Sequence, residues 1–279
     1  MTVNFTLLAQ NSDVNYVEQA YACAMSIKLH VPNSKVCLIT NDELSDKHKL
    51  IFDDVVSIPW GDMAANHTWK VNNRWKIYHV TPYESTIVMD TDMLVLEDIT
   101  RWWNFLQDYE LFYVSKPITY RGEPVISNYY RKAFTVNNLP NLYSGFHFFK
   151  KTNFSKHFFT LLEIVMKDWK VFYEKYAGGM IYQNFLSVDL CASIVAKILD
   201  CEHAITSPHV HPTFVHMKSH LQNWKSSASA DWQLFVKAYM NANTDLKVGN
   251  YIQSGVFHYT EDTFLTRDII EKYENRLGI

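Results

Sequence analysis

The sequence predicts a single α/β domain whose mostly parallel central sheet is flanked by helices. Strand-like and helical patterns alternate over residues 3–58, as expected of parallel strands joined by helical crossovers. The chain of 279 residues is 48% hydrophobic and 20% charged, which suits one large core. Neither an internal repeat nor a low-complexity linker divides it. We therefore expect one domain over residues 1–279.

The first elements follow from short apolar runs that are separated by polar turns. Asp13 is a plausible N-cap of the first helix, and Pro32 with Asn33 ends that helix. Strands are predicted over residues 3–9, 35–40 and 55–58, and helices over residues 14–29 and 44–51.

The rest of the chain continues this pattern and then becomes irregular. The apolar, β-branched residues 85–89 predict a strand that runs into an acidic pair, and residues 93–96 remain apolar. Residues 116–140 are polar and aromatic, which is typical of a surface loop. Further helices are predicted over residues 69–80, 101–106, 154–176, 185–199 and 267–277, and further strands over residues 111–115 and 142–150.

Composition argues against several classes of function. The formal net charge is −3, so the surface as a whole is not that of a general polyanion binder. The four cysteines form no C-x-x-C pair, which argues against a zinc site and indicates reduced, buried thiols. Residues 1–10 lack the features of a signal peptide, and no apolar run reaches the length of a membrane span. A cytoplasmic protein is expected.

The motif Asp90-Thr91-Asp92 carries the clearest chemical signal. Residues i and i+2 of a strand point the same way, so both carboxylates project together while Thr91 faces the opposite side. Adjacent carboxylates in an apolar setting repel each other, and a bound Mg²⁺ or Mn²⁺ relieves that repulsion. The alternative is a turn after a core strand, which Asp often caps. The position at the carboxyl end of a strand favours a metal site.

Basic residues before this strand are candidates for binding phosphate. Arg74 and Lys76 lie on the predicted helix 69–80, from which they would reach a pyrophosphate. The alternative is an ordinary solvated helix face. His209 and His211 form an H-x-H pair that suits either a metal ion or a loop between two prolines.

The segment 113–134 is a candidate acceptor loop, because aromatic rings stack on sugars or bases and cations contact phosphate. Such a loop would suit a saccharide, a lipid-linked glycan or modified DNA, and the alternative is a surface loop packed by its own tyrosines. Its aromatic residues include Tyr120, Tyr129 and Tyr130, and its basic residues are Lys116, Arg121, Arg131 and Lys132.

Residues 85–95, with the sequence STIVMDTDMLV, resemble the strand and acidic motif of glycosyltransferases of the GT-A fold. The similarity is greatest to the retaining family that includes glycogenin and bacterial lipopolysaccharide galactosyltransferases. It implies a GT-A (Rossmann-like) sheet with a nucleotide-sugar half over about residues 1–115 and an acceptor half over about residues 116–279. It also implies a hexosyl- or pentosyltransferase that uses a nucleotide sugar, with UDP as the expected nucleotide and retention of configuration.

The resemblance also implies site residues. Ala9 and Gln10 match the first turn that contacts the nucleotide. Ser144 and Gly145 match a segment near the donor sugar, although Tyr143 precedes them where the family has Asn. Asp189 matches a helical acid with a catalytic role near the donor sugar, although the next residue is not the family's Gln; an exposed helical acid is the alternative.

The family's third metal ligand is a downstream His that is followed by a phosphate-binding Lys. His216 with Lys218 is the preferred match, and His258 is the alternative. A neutral imidazole would complete a carboxylate-rich metal site. An ordinary hydrogen-bonded histidine is the competing interpretation of either residue.

Two other functions share parts of this pattern. A nucleotidyltransferase would share the sheet and the carboxylate pair, but the turn at residues 10–13 lacks the Gly and Lys that cradle a triphosphate. A nucleotide-sugar binding module without turnover would keep the same fold, and the intact acidic pair argues against it.

Overall fold

The structure is a computed structural model that describes residues 2–67, 70–125, 131–178, 184–217 and 237–279. Its strands are β1 (Val3–Leu8), β2 (Ser34–Ile39), β3 (Asp54–Val56), β4 (Ser85–Met89), β5 (Met93–Val95), β6 (Leu111–Val114), β7 (Tyr143–Lys150), β8 (Val215–His216), β9 (Ala238–Met240), β10 (Leu246–Val248), β11 (Tyr251–Ile252) and β12 (Val256–His258). Its α-helices are α1 (Tyr16–His30), α2 (Asp46–Ile51), α3 (Ile77–Val80), α4 (Thr100–Leu106), α5 (Lys132–Val136), α6 (Asn153–Lys167), α7 (Trp169–Ala177), α8 (Val188–Ile198), α9 (Glu202–Ile205) and α10 (Arg267–Leu277). Short 3-10 turns cover Arg74–Lys76 and Asp262–Phe264.

A six-stranded sheet in the order β3-β2-β1-β4-β7-β6 forms the centre of the fold. The pairs from β3 to β4 are parallel, whereas β7 is antiparallel to both of its neighbours. The predicted α/β class with a mostly parallel sheet and flanking helices is therefore confirmed. The single antiparallel strand matters for the site, because it brings the beginning of β7 beside the end of β4.

Strand periodicity divides the core into two layers. Ile87 and Met89 of β4 pack into the cluster that contains α1, α4 and α10, while Val88 between them packs into the cluster of α6, α7 and α8. Successive side chains of a strand point to opposite faces, so a strand between two helical layers is apolar throughout. This accounts for the continuous apolar run before Asp90.

The observed helix boundaries agree with the sequence prediction for one helix and correct the predicted cap of another. The helix α10 spans the predicted residues 267–277, and the Thr266 side chain caps it by accepting from the Ile269 amide. The cap of α1 is Asn15 rather than Asp13, since the Asn15 side chain accepts from the Glu18 amide at 3.1 Å.

Three predicted elements are corrected. Residues 70–73 form turns, so helical structure in the predicted segment 69–80 covers only residues 74–80. The predicted helix 154–176 is two helices, α6 and α7, with Asp168 between them. Asp is unfavourable in a helix interior because its side chain competes for backbone groups. The predicted loop 116–140 contains α5, whose Phe134 is fully buried.

Two small sheets were not anticipated from the sequence. Strand β12 pairs antiparallel with β5 and parallel with β8, and β9, β10 and β11 form a separate antiparallel sheet. Strands of two or three residues carry too little periodicity to be recognised locally. Among the described residues, none of the helices combines the length and apolar character that crossing a membrane requires.

Candidate functional site

The candidate site lies at one edge of the central sheet, where several predicted residues converge. Asp90 directly follows β4, and Ala9 and Gln10 directly follow the neighbouring β1. Because β7 runs the other way, Ser144 and Gly145 at its beginning reach the same edge. Ligands of open α/β sheets bind outside the carboxyl ends of parallel strands, so this edge is the expected place for a site.

Gly145 and Asp90 are in direct contact. The Asp90 amide donates to the Gly145 carbonyl at 2.8 Å. A Cβ added at Gly145 would lie 2.7 Å from Asp90 Oδ2 and 3.1 Å from Met93 Cε. Distances under 3.0 Å are not seen for real Cβ atoms, so any larger residue at this position would displace the carboxylate. Gly145 therefore makes room for the Asp90 side chain.

The acidic motif forms the turn between β4 and β5. Thr91 is buried and donates to Gln19 Oε1 at 3.2 Å, on the side away from the carboxylates. The Asp90 and Asp92 side chains are 22% and 23% exposed. The Tyr259 amide donates to the Asp92 carbonyl at 3.1 Å and ties the turn to the end of β12.

His258 completes a cluster with both carboxylates. Its Nε2 lies 3.0 Å from Asp92 Oδ2 and 4.0 Å from Asp90 Oδ2. One ligand atom from each of the three residues lies within 4.8 Å of the others. Two carboxylates and one imidazole are a donor set that divalent cations accept, and the cluster is partly open to solvent. The residues present therefore fit a divalent metal ion.

The preferred histidine, His216, is not a member of this cluster. It lies on β8, paired in register with His258 on β12, and its ring stacks on the His258 ring with centroids 5.2 Å apart. The geometry therefore favours the alternative, His258, for the proposed third ligand, while His216 packs against its ring. Lys218, the predicted phosphate contact, lies outside the described residues.

Arg74 pairs directly with Asp90, the first acid of the motif. Burial lowers the pKa of Arg74, and the negative charges of Asp92 and Asp189 oppose that shift. The guanidinium therefore balances charge at the site. The prediction that Arg74 contacts a diphosphate is compatible with this position and stays a prediction.

Lys76 is corrected, because its amino group is already used inside the protein. The side chain is fully buried, and Nζ donates to the Pro59 carbonyl at 2.9 Å and to the Gly61 carbonyl at 2.5 Å. Burial lowers its pKa. Arg74 and Lys76 are two positions apart in a helical turn, so their side chains point in different directions. The presence of two nearby cations in the sequence does not reveal this difference.

Gln10 belongs to a hydrogen-bond network above the end of β1. Asn73 Nδ2 donates to Gln10 Oε1 at 2.7 Å and to Asp62 Oδ1 at 2.6 Å. Burial raises the pKa of Asp62, but hydrogen bonds from Gln10, the Ala64 amide and Asn73, with the positive charge of Lys70, bring it below its ordinary value. Ala9 is fully buried beside this network. The network joins residues 62–64 to the predicted nucleotide turn.

Asp189 is held by two partners that fix both of its oxygens. The Ser144 amide donates to Oδ1 at 2.8 Å and the Ser144 hydroxyl donates to the same oxygen, while Arg131 pairs with Oδ2. Arg131 also donates to the Leu142 carbonyl at 2.8 Å, and its guanidinium lies 3.4 Å from the centre of the Tyr143 ring. Asp189 is thus a positioned acid rather than a free helical one.

Sequence reasoning placed Arg131 in an acceptor loop and missed its pairing with Asp189. The Arg131 side chain is only 5% exposed, and 58 residues separate it from its partner. Nothing in the local sequence signals this contact, because it depends on packing α5 against α8 and β7.

His147 lies in β7 and contacts Ser144 at the beginning of that strand. Its Nδ1 lies 2.8 Å from the Ser144 carbonyl, and its ring stacks on Tyr113 with centroids 4.9 Å apart. Burial lowers the pKa of His147 to about 3, and the positive charge of Arg74 contributes to the shift. The imidazole is therefore neutral at pH 7 and donates from Nδ1.

The candidate acceptor loop is divided by the structure. Tyr113 lies in β6 and is buried, while Arg121 is exposed. Tyr129 and Tyr130 lie outside the described residues. His209 and His211 are exposed, and neither belongs to the metal-type cluster found among the described residues. The loop's role in acceptor binding stays a prediction.

No protein-family model matches the sequence, and no curated protein matches it in sequence. The fold is similar to that of the galactosyltransferase LgtC solved in complex with donor and acceptor sugar analogues. That match has 14% identity and a TM-score of 0.55, and it covers 99% of this chain and 95% of the other. An active-site mutant of LgtC matches with 13% identity, a TM-score of 0.54 and the same coverage. Mouse xyloside xylosyltransferase 1 matches with 9% identity and a TM-score of 0.48 over 92% of this chain and 97% of that one.

The two LgtC matches confirm the predicted GT-A fold over almost the whole chain. At this level of identity, the likeness concerns the fold, and chemistry has to be argued from the site. One departure from the family pattern has a structural basis here: Leu190 is fully buried in the core beside α6. Its side chain therefore belongs to packing, and only Asp189 of this pair faces the site residues.

Proposed function

We propose that this protein is a metal-dependent glycosyltransferase that moves a sugar from a nucleotide-sugar donor to an acceptor. The observation that carries the proposal is the cluster of Asp90, Asp92 and His258 at the carboxyl edge of the sheet, with Arg74 beside it. A diphosphate bound at this edge would need a cation and hydrogen-bond donors. The cluster would hold the cation, and Arg74 would donate the hydrogen bonds. The LgtC likeness supports the same class, since LgtC was solved with donor and acceptor sugar analogues.

Asp90, Asp92 and His258 would hold Mn²⁺ or Mg²⁺. Carboxylate oxygens with one imidazole suit either ion, and Mn²⁺ accepts nitrogen more readily than Mg²⁺ does. When bound, the ion would neutralise the negative charge that grows on the diphosphate as the sugar departs. The His258 ring is oriented by its stack on His216, which lowers the cost of ordering it.

The remaining residues would position the donor. The turn after β1, with Ala9 and Gln10, is the proposed contact for the nucleotide, which we expect to be uridine diphosphate. Arg74 is the proposed contact for phosphate oxygens, because a guanidinium presents paired donors to them. Ser144 and Asp189 would meet hydroxyl groups of the donor sugar.

Retention of anomeric configuration is the proposed stereochemical outcome. An inverting transfer needs a carboxylate that is free to take a proton from the acceptor. Both Asp189 oxygens already accept hydrogen bonds, from Ser144 and Arg131. Asp189 is therefore better suited to orienting the donor than to acting as a base. The acceptor is a saccharide, a lipid-linked glycan, a protein or a modified DNA base.

A donor-hydrolysis assay tests the proposal. The protein is incubated with UDP-, GDP-, ADP- and CMP-sugars, with Mn²⁺ or EDTA, and released nucleotide is measured. We expect metal-dependent release from one donor and its loss in the Asp90→Asn, Asp92→Asn double variant. The matched control is Asp46→Asn, because the Asp46 side chain is fully solvent-exposed on α2. The absence of both binding and release with every donor would overturn the glycosyltransferase proposal.

The same assay separates the competing functions. A nucleotidyltransferase would release pyrophosphate from a nucleoside triphosphate rather than a nucleoside diphosphate from a sugar. A binding module without turnover would bind a nucleotide sugar in a metal-dependent way and release nothing.

A further inference from the structure

Trp60 is an exposed aromatic residue in an unusual backbone conformation. Its φ is +56°, in the left-handed region that bulky residues rarely adopt, and its side chain is 66% exposed. A strained backbone persists only where surrounding contacts hold it, and such positions concentrate at ligand sites. The contacts around Trp60 therefore indicate whether this ring is held for a purpose.

A buried lysine holds the backbone on both sides of Trp60. Lys76 Nζ donates to the carbonyls of Pro59 and Gly61, the residues that flank the tryptophan. Burying a lysine is unfavourable unless its charge is fully hydrogen-bonded, so a lysine used this way fixes the turn firmly. Gly61 also has a positive φ, of +75°.

A second tryptophan supports the Trp60 ring from beneath. The rings of Trp60 and Trp75 stack with centroids 5.7 Å apart and planes inclined by 8°. His79 contacts the Trp60 ring edge-on at 5.4 Å. Trp75 itself is only 3% exposed. One face of Trp60 is thus covered by the protein, and the exposed area is that of a rigid, flat ring.

The stacked rings of Trp60 and Trp75 are connected to the candidate site through residues 73–75. Trp75 follows Arg74, which pairs with Asp90, and Asn73 links Asp62 to Gln10 at the end of β1. The turn that carries Trp60 is therefore connected by hydrogen bonds to the candidate site at the ends of β1 and β4.

We propose that Trp60 is a stacking subsite for a pyranose ring of a saccharide acceptor; this rests on the proposed function. The apolar face of a sugar ring packs on an aromatic face, and polar groups around the ring accept or donate to hydroxyls. Asp62, Asn66 and His67 are exposed in the same loop as Trp60 and provide such groups. Met63 in the same loop is also partly exposed, but the other exposed side chains there are mostly polar. A rigid ring in such a loop suits a saccharide better than a protein partner, which needs a contiguous apolar patch.

Indole NMR signals test this subsite. Protein labelled with ¹⁵N-tryptophan is titrated with lactose, maltotriose and N,N′-diacetylchitobiose, and the Trp60 signal is identified by its absence in Trp60→Gly. Glycine adopts a positive φ without strain, so this variant removes the ring and preserves the turn. We expect a saturable shift of the Trp60 signal with at least one probe. Calorimetry should show at least about 10-fold weaker binding by Trp60→Gly.

Two controls make the result specific. Tyr239→Ala removes another exposed aromatic ring, 64% exposed on β9, and should bind like the wild type. Metal-dependent donor hydrolysis is measured separately, on the wild type and the Asp90→Asn, Asp92→Asn double variant, so that failure of the subsite and failure of the proposed function give different results. A saccharide-dependent shift without donor hydrolysis would support the subsite and count against the transferase.

Three outcomes would overturn the proposal. The first is that none of the probes shifts the Trp60 signal. The second is equal affinity of the wild type and Trp60→Gly. The third is a shift of the Trp60 signal on dilution without saccharide, which would assign the ring to contact between copies of the protein.

Discussion

The carboxylate of Asp90 occupies the space that a side chain at Gly145 would fill, since a Cβ there would lie 2.7 Å from Asp90 Oδ2. The Asp90 amide also donates to the Gly145 carbonyl. These two contacts place the first acidic residue of the motif against the beginning of β7. The position of Asp90 is therefore determined jointly by two strands that run in opposite directions.

Substitution Gly145→Ala should displace Asp90 and weaken metal binding. The added methyl group cannot fit without moving the carboxylate or Met93. We expect at least about 10-fold weaker Mn²⁺ binding, measured by calorimetry. Gly249→Asn is the matched control, because nothing lies within 4 Å of a Cβ there and Asn tolerates its φ of +58°. Unchanged Mn²⁺ affinity in Gly145→Ala would show that Asp90 does not hold the ion.

The two stacked histidines should differ in their effect on metal binding. His258→Phe removes the nitrogen that lies 3.0 Å from Asp92 and should weaken Mn²⁺ binding by at least about 10-fold. His216→Phe keeps an aromatic ring in the stack and should change the affinity little. Each variant is compared by Mn²⁺ calorimetry. The reverse order of effects would restore His216 as the ligand.

Removing Arg74 should have opposite effects on metal and donor. In Arg74→Gln, Asp90 loses a competing cation, so Mn²⁺ affinity without nucleotide should stay the same or rise. The affinity for UDP in the presence of Mn²⁺ should fall by about 10-fold, as a charge-assisted contact is lost. Calorimetric titration of Mn²⁺ and then UDP measures both quantities.

Arg101→Gln serves as the control for Arg74→Gln, because Arg101 is an exposed arginine paired with Glu97 on the surface of α4. Both affinities should stay at their wild-type values in this variant. If Arg74→Gln instead weakened Mn²⁺ binding without nucleotide as strongly as Asp90→Asn, the competition between Arg74 and the ion would be refuted.

The buried His147 should make stability depend on pH. Its pKa falls from 6.5 to about 3 in the folded protein, so the unfolded chain binds the proton more readily. Its contribution to stability is complete above pH 6.5 and is lost as the pH falls toward 3. In His147→Asn, which keeps a donor for the Ser144 carbonyl, the slope should decrease by up to about 1.4 kcal/mol per pH unit.

Urea unfolding at about pH 4.5 and about pH 7, on either side of the ordinary histidine pKa, measures this slope for the wild type and the variant. His209→Asn, at an exposed position, should retain the wild-type slope. An unchanged slope in His147→Asn would mean that other groups, such as the half-buried His30 and His79, account for acid sensitivity.

The ion pair between Asp189 and Arg131 should contribute to both stability and transfer. Asp189→Asn leaves the buried Arg131 without its counter-charge, which should lower the free energy of unfolding by about 2–3 kcal/mol. Donor hydrolysis should fall as well, because Ser144 loses its charged partner. Glu202→Gln, an exposed change on α9, is the control for urea unfolding. Wild-type stability of Asp189→Asn would contradict a structural role for the pair.

The parallel half of the sheet could be predicted because its signals are local. Strands β1, β2 and β4 are rich in apolar residues and mostly buried, and polar turns separate them from the helices. The small sheets of β8 to β12 could not be predicted, because short strands are defined by distant partners. Pairing of β12 with β5 joins Val256 to Val95, far apart in the chain.

The same distinction explains which positions of candidate site residues could be predicted from the sequence pattern. Asp90 and Asp92 follow an apolar strand and Gly145 lies at the beginning of another, so their place at the sheet edge follows from the order of strands and turns. The choice between His216 and His258 depends on which of two adjacent strands faces the carboxylates. The different environments of Arg74 and Lys76 likewise depend on how one turn packs.

The sequence by itself determined the α/β class, the succession of the strands along the chain up to β4 and the presence of an acidic pair at a strand end. Periodicity and turn residues act over a few positions, and that range suffices for these features. Only the tertiary structure decided that His258 joins the pair, that Arg74 neutralises Asp90 and that Arg131 holds Asp189. Each of these contacts joins residues distant in the chain, and its geometry comes from packing that no local pattern encodes.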